Sequence, residues 1–344
     1  MRWESLAANA PAGSGDALFA KPAVVRTFDS PQFAGMTFFE VHAKSILNAV
    51  PAAAGLPFAW TINPYRGCSH ACRYCFARNT HTYLELGAGL DFDTKVVVKV
   101  NAPALLRKEL ARASWRGEPV AMGTNVDCYQ RAEGRYRLMP GILTALTEAA
   151  NPFSILTKGA LILRDLPLLQ RAAQVTDVST AVSVGFVDAS LWRDIEPGTP
   201  NPRTRLRVCS ELNASGIRCG VLMAPILPHL TDSPAQLAAT VTAIAEAGAS
   251  FVTPIVLHLR PGAREWFMQW LDAVHPELSH TYRSMYARSS YAPKSYQDDI
   301  CGQVRDLARA AGVGTPHSID RTPSQRRARP LSPAQPASAQ LTLL

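Results

Sequence analysis

Three cysteines within eight residues carry the clearest chemical signal in the chain. Cys68, Cys72 and Cys75 follow a CxxxCxxC spacing. Thiolates bind iron–sulfur clusters, and a [4Fe–4S] cube bound by only three of them keeps one iron open for a small-molecule ligand. A catalytic cluster needs such an open position. Gly67, directly before the first cysteine, allows the backbone to turn tightly there.

Zinc is the alternative metal for this loop. Structural zinc sites usually pair two Cys-x2-Cys halves and have four ligands. Cys72 and Cys75 form one half, no second half follows, and His70 is the candidate for a fourth ligand. A cluster that only carries electrons normally has four protein ligands, and no other cysteine is obviously placed to be the fourth. We therefore favour a cluster with one open iron.

The elements that position this loop are predicted from short apolar runs. Six runs have the length of buried strands, and helical patterns separate them. The runs are Phe58–Asn63, Val120–Val126, Phe153–Lys158, Val178–Phe186, Ile217–Ile226 and Phe251–Leu259. Six βα units predict an α/β fold with a parallel sheet, either doubly wound or an open, partial barrel. The cysteine loop follows the first run, so we expect it at that strand's carboxyl end.

Helix signals lie between and after these strands. Asn101 is a candidate cap for a helix that carries Leu105, Leu106 and Leu110 on one face. Ser233 and Pro234 begin a second helix, which ends near Gly248. Residues 266–274 repeat apolar side chains at helical spacing, which is typical of a core-facing helix. Residues 280–296 mix four tyrosines with cations, which favours packing at a domain edge over nucleic-acid stacking.

Length and composition are typical of a globular chain. It has 344 residues, and 47% of them are hydrophobic. No run reaches the roughly 20 apolar residues of a membrane helix, and the N-terminus shows no apolar signal segment, so we expect a cytoplasmic protein without a membrane partner. The net charge of +8 fits an anionic partner such as nucleic acid, but an ordinary solvated surface equally.

Several motifs, taken in order, resemble those of radical S-adenosylmethionine (SAM) enzymes. The CxxxCxxC loop with an aromatic before its last cysteine resembles the superfamily signature. The chain is more closely similar to the spore photoproduct lyase-like branch often labelled DNA repair photolyase. That likeness runs from about residue 43 to 270 and consists of NPYRGCSHACRYCFAR, GTNVDCYQ, ILTKG, RDLPLL, IEPGTPNPRTRL and MAPILP.

This resemblance implies a partial (β/α)6 TIM-type barrel. Over residues 51–275 it implies the core barrel, followed by a helical extension at 276–315, while composition predicts a partly disordered N-terminal arm at 1–50, whose more apolar segment 36–51 packs on the core, and a disordered tail at 316–344. The resemblance also implies that SAM chelates the open iron and that an electron donor such as flavodoxin or ferredoxin reduces the cluster. SAM would then yield a 5′-deoxyadenosyl radical that abstracts hydrogen from the substrate.

The resemblance carries site roles onto particular residues. Cys68, Cys72 and Cys75 match the cluster ligands. Tyr74 and Phe76 stand where relatives contact adenine through the loop backbone. Many relatives have a Gly-Gly-Glu-like motif for the methionine amine at the end of the second strand. This chain lacks it and has Thr124, Asn125 and Asp127 there, of which Asn125 and Asp127 can accept a hydrogen bond from an ammonium group.

Three further positions match SAM contacts. Lys158 corresponds to a SAM-contacting lysine of spore photoproduct lyases, and a surface lysine is the alternative. Ser183 matches a ribose-contacting position, although strand serines are commonly packed. Arg205 has a guanidinium fork that could bind the SAM carboxylate, and an internal salt bridge with Glu196 is the alternative. His258 and Arg260 close the sixth strand and are candidates to face substrate.

Cys128 is a candidate catalytic thiol because it lies just beyond the second strand. Spore photoproduct lyases return hydrogen to product from a cysteine near this point, but its counterpart here is Thr124. Most lone cysteines are packed small hydrophobes, which is the alternative for Cys128. Cys209, Cys219 and Cys301 are predicted to be buried thiols.

The leading hypothesis is a radical SAM enzyme whose substrate is unknown and could be a nucleic-acid base, a peptide side chain or a small molecule. The basic charge favours nucleic acid mildly. A photoproduct lyase reaction is less favoured, because the matching cysteine is missing. The alternative from another class is a non-catalytic, metal-stabilised nucleic-acid-binding protein.

Overall fold

All six predicted strands form, and they lie side by side in one sheet. The computed structural model describes residues 23–51 and 56–314. The six parallel strands are β4 (Trp60–Ile62), β7 (Val120–Met122), β8 (Phe153–Thr157), β9 (Val178–Ser183), β10 (Cys219–Ile226) and β11 (Val252–Val256). Each pairs in parallel with the next one along the chain. The predicted α/β class with a parallel sheet is confirmed.

The order of these strands bears on the two architectures that the sequence pattern allows. The sheet runs β11-β10-β9-β8-β7-β4-β3, so the six parallel strands follow chain order. A doubly wound sheet reverses its order at a switch point, and these six strands contain no reversal. Strand β3 (Leu47–Ala49) adds an antiparallel edge beside β4.

The N-terminal segment contributes two strands to a second sheet that the sequence pattern does not predict. It has the order β1 (Val24–Arg26), β2 (Thr37–Val41), β6 (Lys95–Lys99) and β5 (Tyr65–Arg66). Met36, Phe38 and Ile46 are buried in the main core, as the apolar composition of this segment predicts. Residues 1–22 of the predicted arm and the whole predicted tail, 316–344, lie outside the described residues.

Eleven α-helices connect or cover the strands of the described residues. They are α1 (Leu90–Thr94), α2 (Ala102–Leu110), α3 (Arg131–Tyr136), α4 (Leu138–Glu148), α5 (Leu166–Ala173), α6 (Ala189–Ile195), α7 (Pro202–Ala214), α8 (Pro234–Glu246), α9 (Ala263–Val274), α10 (Ser279–Met285) and α11 (Lys294–Ala310). Short 3-10 helices cover Phe76–Leu84 and Ala160–Asp165. No helix among the described residues is long and apolar enough to cross a membrane.

One predicted helix cap forms and one does not. Ser233 caps α8 through a capping box with Gln236. The Asn101 side chain makes no capping bond to α2. Its amide instead bonds both the N–H and the carbonyl of Ala43, at 2.9 Å each. The prediction of an Asn101 cap is therefore wrong, because a long-range partner takes both polar atoms.

The C-terminal helices pack against the sheet and the cysteine loop. Phe267, Trp270 and Leu271 on α9 are buried, as the helical spacing predicts. Tyr282 and Tyr286 are also buried, and their hydroxyls donate to backbone carbonyls. The packing interpretation of this tyrosine-rich segment is therefore correct for these two. Helix α11 lies against β11 and α8.

Candidate functional site

The cysteine loop lies between β5 and the 3-10 helix at Phe76–Leu84. Cys68 and Cys72 are buried, Cys75 is half-buried, and all three are free thiols. Gly67 has a φ of +79°, and a Cβ there would lie 2.6 Å from the Lys95 carbonyl oxygen. Only glycine fits this entry to the loop.

Gln130 holds the first turn of the loop from two sides. Its Oε1 accepts from the Ser69 N–H at 2.9 Å, and its Nε2 donates to the Gly67 carbonyl at 2.9 Å. Gln130 is completely buried. The glutamine of the DCYQ motif therefore fixes the backbone on both sides of Cys68.

Arg78 holds the second half of the loop. Its guanidinium is completely buried and donates twice to the Cys72 carbonyl, at 3.2 and 2.9 Å. It also bonds the carbonyls of Ala88 and Gly89 and lies 2.7 Å from an oxygen of Asp93. The last residue of the loop motif thus anchors the backbone between the second and third cysteines.

A network of buried hydrogen bonds lies next to the residues that hold the cysteine loop. The Tyr65 hydroxyl donates to Glu133 at 2.6 Å, and Arg164 donates to the other Glu133 oxygen at 2.6 Å. Arg164 also bonds Asp165, which accepts from the Tyr129 hydroxyl. One hydrogen-bonded network therefore contains Tyr65 of NPYRGC, Tyr129 of DCYQ, and Arg164 and Asp165 of RDLPLL.

Cys128 belongs to this supporting region. It has no exposed surface, and burial raises the pKa of its thiol well above the ordinary value. The nearest charges acting on it come from Asp127 and Glu133. A hydrogen donor must touch its substrate, and a sulfur without exposed surface cannot do so without movement. The burial therefore favours the packed-thiol alternative, and a catalytic role for Cys128 stays a prediction.

Asp127 links two strand ends instead of presenting a free carboxylate. Oδ1 accepts from the Tyr129 N–H and the Thr157 hydroxyl, at 2.8 and 2.7 Å. Oδ2 accepts from the Lys158 N–H at 2.6 Å and lies 3.4 Å from His70 Nδ1. Both oxygens are thus engaged by the protein, which argues against Asp127 as the acceptor for a ligand ammonium.

The neighbouring positions at the end of β7 are more open. Thr124 and Asn125 are half-buried. Gly123 has a φ of +75°, and a Cβ there would lie 1.8 Å from the Leu156 carbonyl oxygen. The strand end therefore needs glycine before these two side chains.

Lys158 and Ser183 meet at the carboxyl ends of β8 and β9. Lys158 Nζ donates to the Ser183 hydroxyl at 2.6 Å, and that hydroxyl donates to the Ala224 carbonyl at 2.9 Å. Nζ lies 5.7 Å from the centre of the Tyr74 ring and 3.9 Å from Glu196. The Lys158 side chain is 15% exposed, so it is not a surface lysine. The structure brings these two predicted residues together beside the cysteine loop.

Glu196 is a buried carboxylate at the centre of a cluster of charged side chains next to the cysteine loop. It accepts a short hydrogen bond from the Tyr74 hydroxyl and another from Arg205 at 2.5 Å. Burial raises the pKa of Glu196, but the charges of Arg205 and Lys158 outweigh this and hold that pKa below its ordinary value. The Arg205 fork is thus occupied by Glu196 and by the Ser183 carbonyl, at 2.7 Å. The salt-bridge alternative for Arg205 is correct, so its fork is not open to a ligand carboxylate.

Three aromatic rings lead from the loop toward the surface. Phe76 packs on His258, and His258 packs on Tyr291, each at 5.6 Å between ring centres. We call Phe76, His258 and Tyr291 the aromatic ladder. Arg260 lies 5.5 Å from the centre of the Phe76 ring. Tyr291 is 48% exposed, so the ladder ends in an accessible ring.

The donor set fits an iron–sulfur cluster. Burial raises the pKa of all three cysteine thiols, that of Cys72 to about 12, so the thiolates need a cationic partner. Two buried donors at the site also lack a hydrogen-bond partner among the described residues, Ser69 Oγ and Arg205 Nε. Soft thiolate ligands and unpaired donors suit a cluster with an anionic co-ligand.

The described residues offer no grouped set of ligands for a single metal ion in the same region. Within residues 23–51 and 56–314, no three His, Cys, Asp or Glu side chains are grouped closely enough to hold one ion. His70, the candidate fourth zinc ligand, lies against Asp127.

Several supporting residues have no assigned role in the sequence analysis. Their only indication in the sequence is that they lie inside or beside the quoted motifs; they are Gln130, Arg78, Glu133 and Asp165. For Tyr291 the sequence gives no indication of a role beyond its place in a tyrosine-rich segment, because its stacking partners are distant in sequence.

Comparison with known proteins agrees with this site. Residues 62–241 match the model of the radical SAM superfamily. An uncharacterised protein of Mycobacterium tuberculosis (strain ATCC 25618 / H37Rv) is 53% identical over 311 residues, which cover 89% of this chain and 92% of that protein. An uncharacterised protein of Methanocaldococcus jannaschii is 29% identical over 195 residues, covering 56% and 69%.

Solved structures show the same fold at low sequence identity. Spore photoproduct lyase complexed with dinucleoside spore photoproduct matches with a TM-score of 0.53 at 15% identity, covering 80% of this chain and 78% of that one. A double mutant of spore photoproduct lyase with bound AdoMet and dinucleoside spore photoproduct matches with a TM-score of 0.50 at 16% identity, covering 77% and 75%. The chain therefore belongs to the radical SAM superfamily, whose enzymes use a [4Fe–4S] cluster and SAM.

Proposed function

We propose that Cys68, Cys72 and Cys75 hold the [4Fe–4S] cluster and that the chain cleaves SAM reductively. The observation that carries this proposal is a set of three free thiols on one loop whose backbone Gln130 and Arg78 fix. When bound, the cluster and SAM supply a one-electron reduction that yields methionine and a 5′-deoxyadenosyl radical. The protein's residues bind SAM, orient it and exclude water.

We further propose that the main sheet is a partial (β/α)6 barrel with its chemistry at the carboxyl edge. Six parallel strands in chain order support this, because right-handed crossovers then place every helix on the same side. Two elements from outside residues 51–275 flank the sheet of the proposed core. Strand β3 pairs with β4 at one edge, and helix α11 packs against β11 at the other. Lys158 and Ser183 stand at the carboxyl ends of β8 and β9, where barrel enzymes place their active sites.

SAM would bind across this edge. Lys158 is the cation best placed for the SAM carboxylate, since the Arg205 guanidinium is held by Glu196 and the Ser183 carbonyl. Thr124 and Asn125 are the open polar groups for the methionine amine. Tyr74 and Phe76 would contribute backbone contacts to adenine, and Ser183 would contact the ribose.

We propose nucleic acid as the substrate class. Support comes from the net charge of +8 and from the aromatic ladder, where Arg260 adds a cation to exposed and half-buried rings. Rings interleaved with cations stack bases without reading their sequence. Because Cys128 is packed, hydrogen return to the product from that thiol is not part of this proposal.

The reductant would be a small electron-transfer protein such as flavodoxin or ferredoxin. Cys75 is the least buried of the three cysteines. Electrons would therefore enter most easily at its side of the loop. The location proposed for the chain is the cytoplasm, where thiols stay reduced and available as ligands.

Anaerobic reconstitution with iron and sulfide, followed by dithionite and SAM, tests the activity. We expect 5′-deoxyadenosine to form, and to be lost in Cys72→Ala. A protein that binds zinc, or a cluster that never cleaves SAM, would favour the metal-stabilised binding protein instead. The Tyr83→Phe variant is a control, since its side chain is exposed on the neighbouring helix.

A further inference from the structure

Ser69 carries a buried hydroxyl that the protein does not satisfy. The residue follows Cys68 directly and is only 5% exposed. Its Oγ has no hydrogen-bond partner among the described residues. A buried hydroxyl without a partner lowers stability, so such a group in the middle of a ligand loop needs an explanation.

The backbone of Ser69 is held on both sides. Its N–H donates to Gln130 at 2.9 Å. Its carbonyl lies against Gly198, where an added Cβ would come within 2.1 Å of the oxygen. Gly198 in turn donates its N–H to the His70 carbonyl at 3.1 Å. The peptide groups on either side of the residue are therefore fixed, which limits how far the hydroxyl can move toward solvent.

We infer that the Ser69 hydroxyl donates a hydrogen bond to a sulfur of the cluster or of its Cys68 ligand. This inference rests on the proposed function. Sulfur in a reduced cluster is electron-rich and accepts hydrogen bonds from nearby donors, and such bonds raise the reduction potential of the cluster. Ser69 thus makes the cluster easier to reduce through this direct hydrogen bond.

Two hydroxyl deletions near the loop separate this role from ordinary packing. Ser69→Ala removes the unpartnered Oγ. Thr80→Val removes a hydroxyl that donates to the Ala77 carbonyl at 2.6 Å, on the 3-10 helix after Cys75. Both variants delete one oxygen, but only Thr80→Val breaks a hydrogen bond within the protein.

The first readout needs no cluster. Thermal unfolding of the cluster-free protein should show Ser69→Ala as stable as the wild type or more stable, and Thr80→Val as less stable. A clear loss of stability in cluster-free Ser69→Ala would overturn the inference, because the hydroxyl would then have a partner in the protein.

The second readout is the midpoint potential of the reconstituted cluster without SAM, from an anaerobic titration followed by electron paramagnetic resonance. We expect a more negative potential in Ser69→Ala and an unchanged one in Thr80→Val. Equal potentials in Ser69→Ala and the wild type would contradict the inference while leaving the proposed function intact. Failure of the wild type to bind iron and sulfide would overturn both.

Discussion

At the scale of single residues, Glu196 joins the cysteine loop to the sheet. It binds the Tyr74 hydroxyl from the loop and Arg205 from α7, and Lys158 lies nearby. A buried carboxylate with these partners is stable only while its charges are balanced. Glu196 therefore matters to the site although it is not placed to touch a substrate.

Replacing Glu196 should be far more damaging than deleting one of its hydrogen bonds. Glu196→Ala leaves the Arg205 charge buried without its carboxylate, which we expect to lower the free energy of unfolding by about 3–5 kcal/mol. Tyr74→Phe removes one donor and should cost about 1–3 kcal/mol. Urea unfolding of the cluster-free proteins measures both. Equal losses would show that the ion pair is not what holds this region.

The same carboxylate should contribute to acid sensitivity. The pKa of Glu196 in the folded protein lies below its ordinary value of 4.5. Its contribution to stability is therefore complete above that value and is lost as the pH falls through the lower, folded pKa. We expect the stability of Glu196→Gln to fall less steeply than that of the wild type below about pH 4.5. Parallel acid profiles would be inconsistent with a depressed pKa.

Sequence reasoning reached part of this site. The cysteine spacing points to the loop, and the resemblance to spore photoproduct lyases points to Lys158 and Ser183. It could not establish that Asp127 and Arg205 are engaged by the protein. Their partners, Thr157 and Lys158 for one and Glu196 for the other, are fixed only when separate strands and loops meet.

At the scale of elements, the segment after α6 packs directly on the cysteine loop. Gly198 approaches the Ser69 carbonyl so closely that no side chain fits between them. The N–H of Arg73 also donates to the Ile195 carbonyl at 2.9 Å. The EPGTP motif thus acts as a backbone brace for the loop.

Gly198→Ala should separate these two segments. The added Cβ would lie 2.1 Å from a carbonyl oxygen, so we expect lower stability and a reduced iron content after reconstitution. Gly302→Ala is the matched control, because nothing lies within 4 Å of its added Cβ in α11. It should stabilise the protein by about 0.5–1 kcal/mol. Full iron loading of Gly198→Ala would mean that the brace is dispensable.

Elements were predicted where an apolar run is buried on both faces, as in the six parallel strands. Strand β6 (Lys95–Lys99) was missed although Val96, Val97 and Val98 are buried. It pairs with β2 and β5 in the separate sheet and lies outside the βα rhythm on which the prediction depended. Such pairing is not encoded in local periodicity.

At the scale of the whole molecule, the net charge of +8 and the aromatic ladder are the two features that would bind nucleic acid under the proposed function. Burial, with the charge of Arg260, lowers the pKa of His258, so its ring is neutral at physiological pH. If nucleic acid is the substrate, as proposed, a neutral ladder with an exposed end would stack a base, while cations such as Arg260 would contact phosphate.

Tyr291→Ala should weaken binding of a single-stranded oligonucleotide about 5- to 150-fold, which corresponds to roughly 1–3 kcal/mol for one stacked base. Fluorescence anisotropy of a labelled oligothymidine measures it. Tyr83→Ala removes another exposed tyrosine, one outside the ladder, and should leave the affinity unchanged. If the two variants bind alike, the ladder is not the contact surface.

The most direct test of the account is Mössbauer spectroscopy of protein reconstituted with ⁵⁷Fe, before and after SAM is added. Three cysteine ligands leave one iron of a four-iron cube without a protein thiolate. SAM should therefore change the signal of about one iron in four, and Cys68→Ala, Cys72→Ala and Cys75→Ala should each prevent the cluster from forming. A cluster whose Mössbauer signal is the same with and without SAM would contradict the proposed open iron.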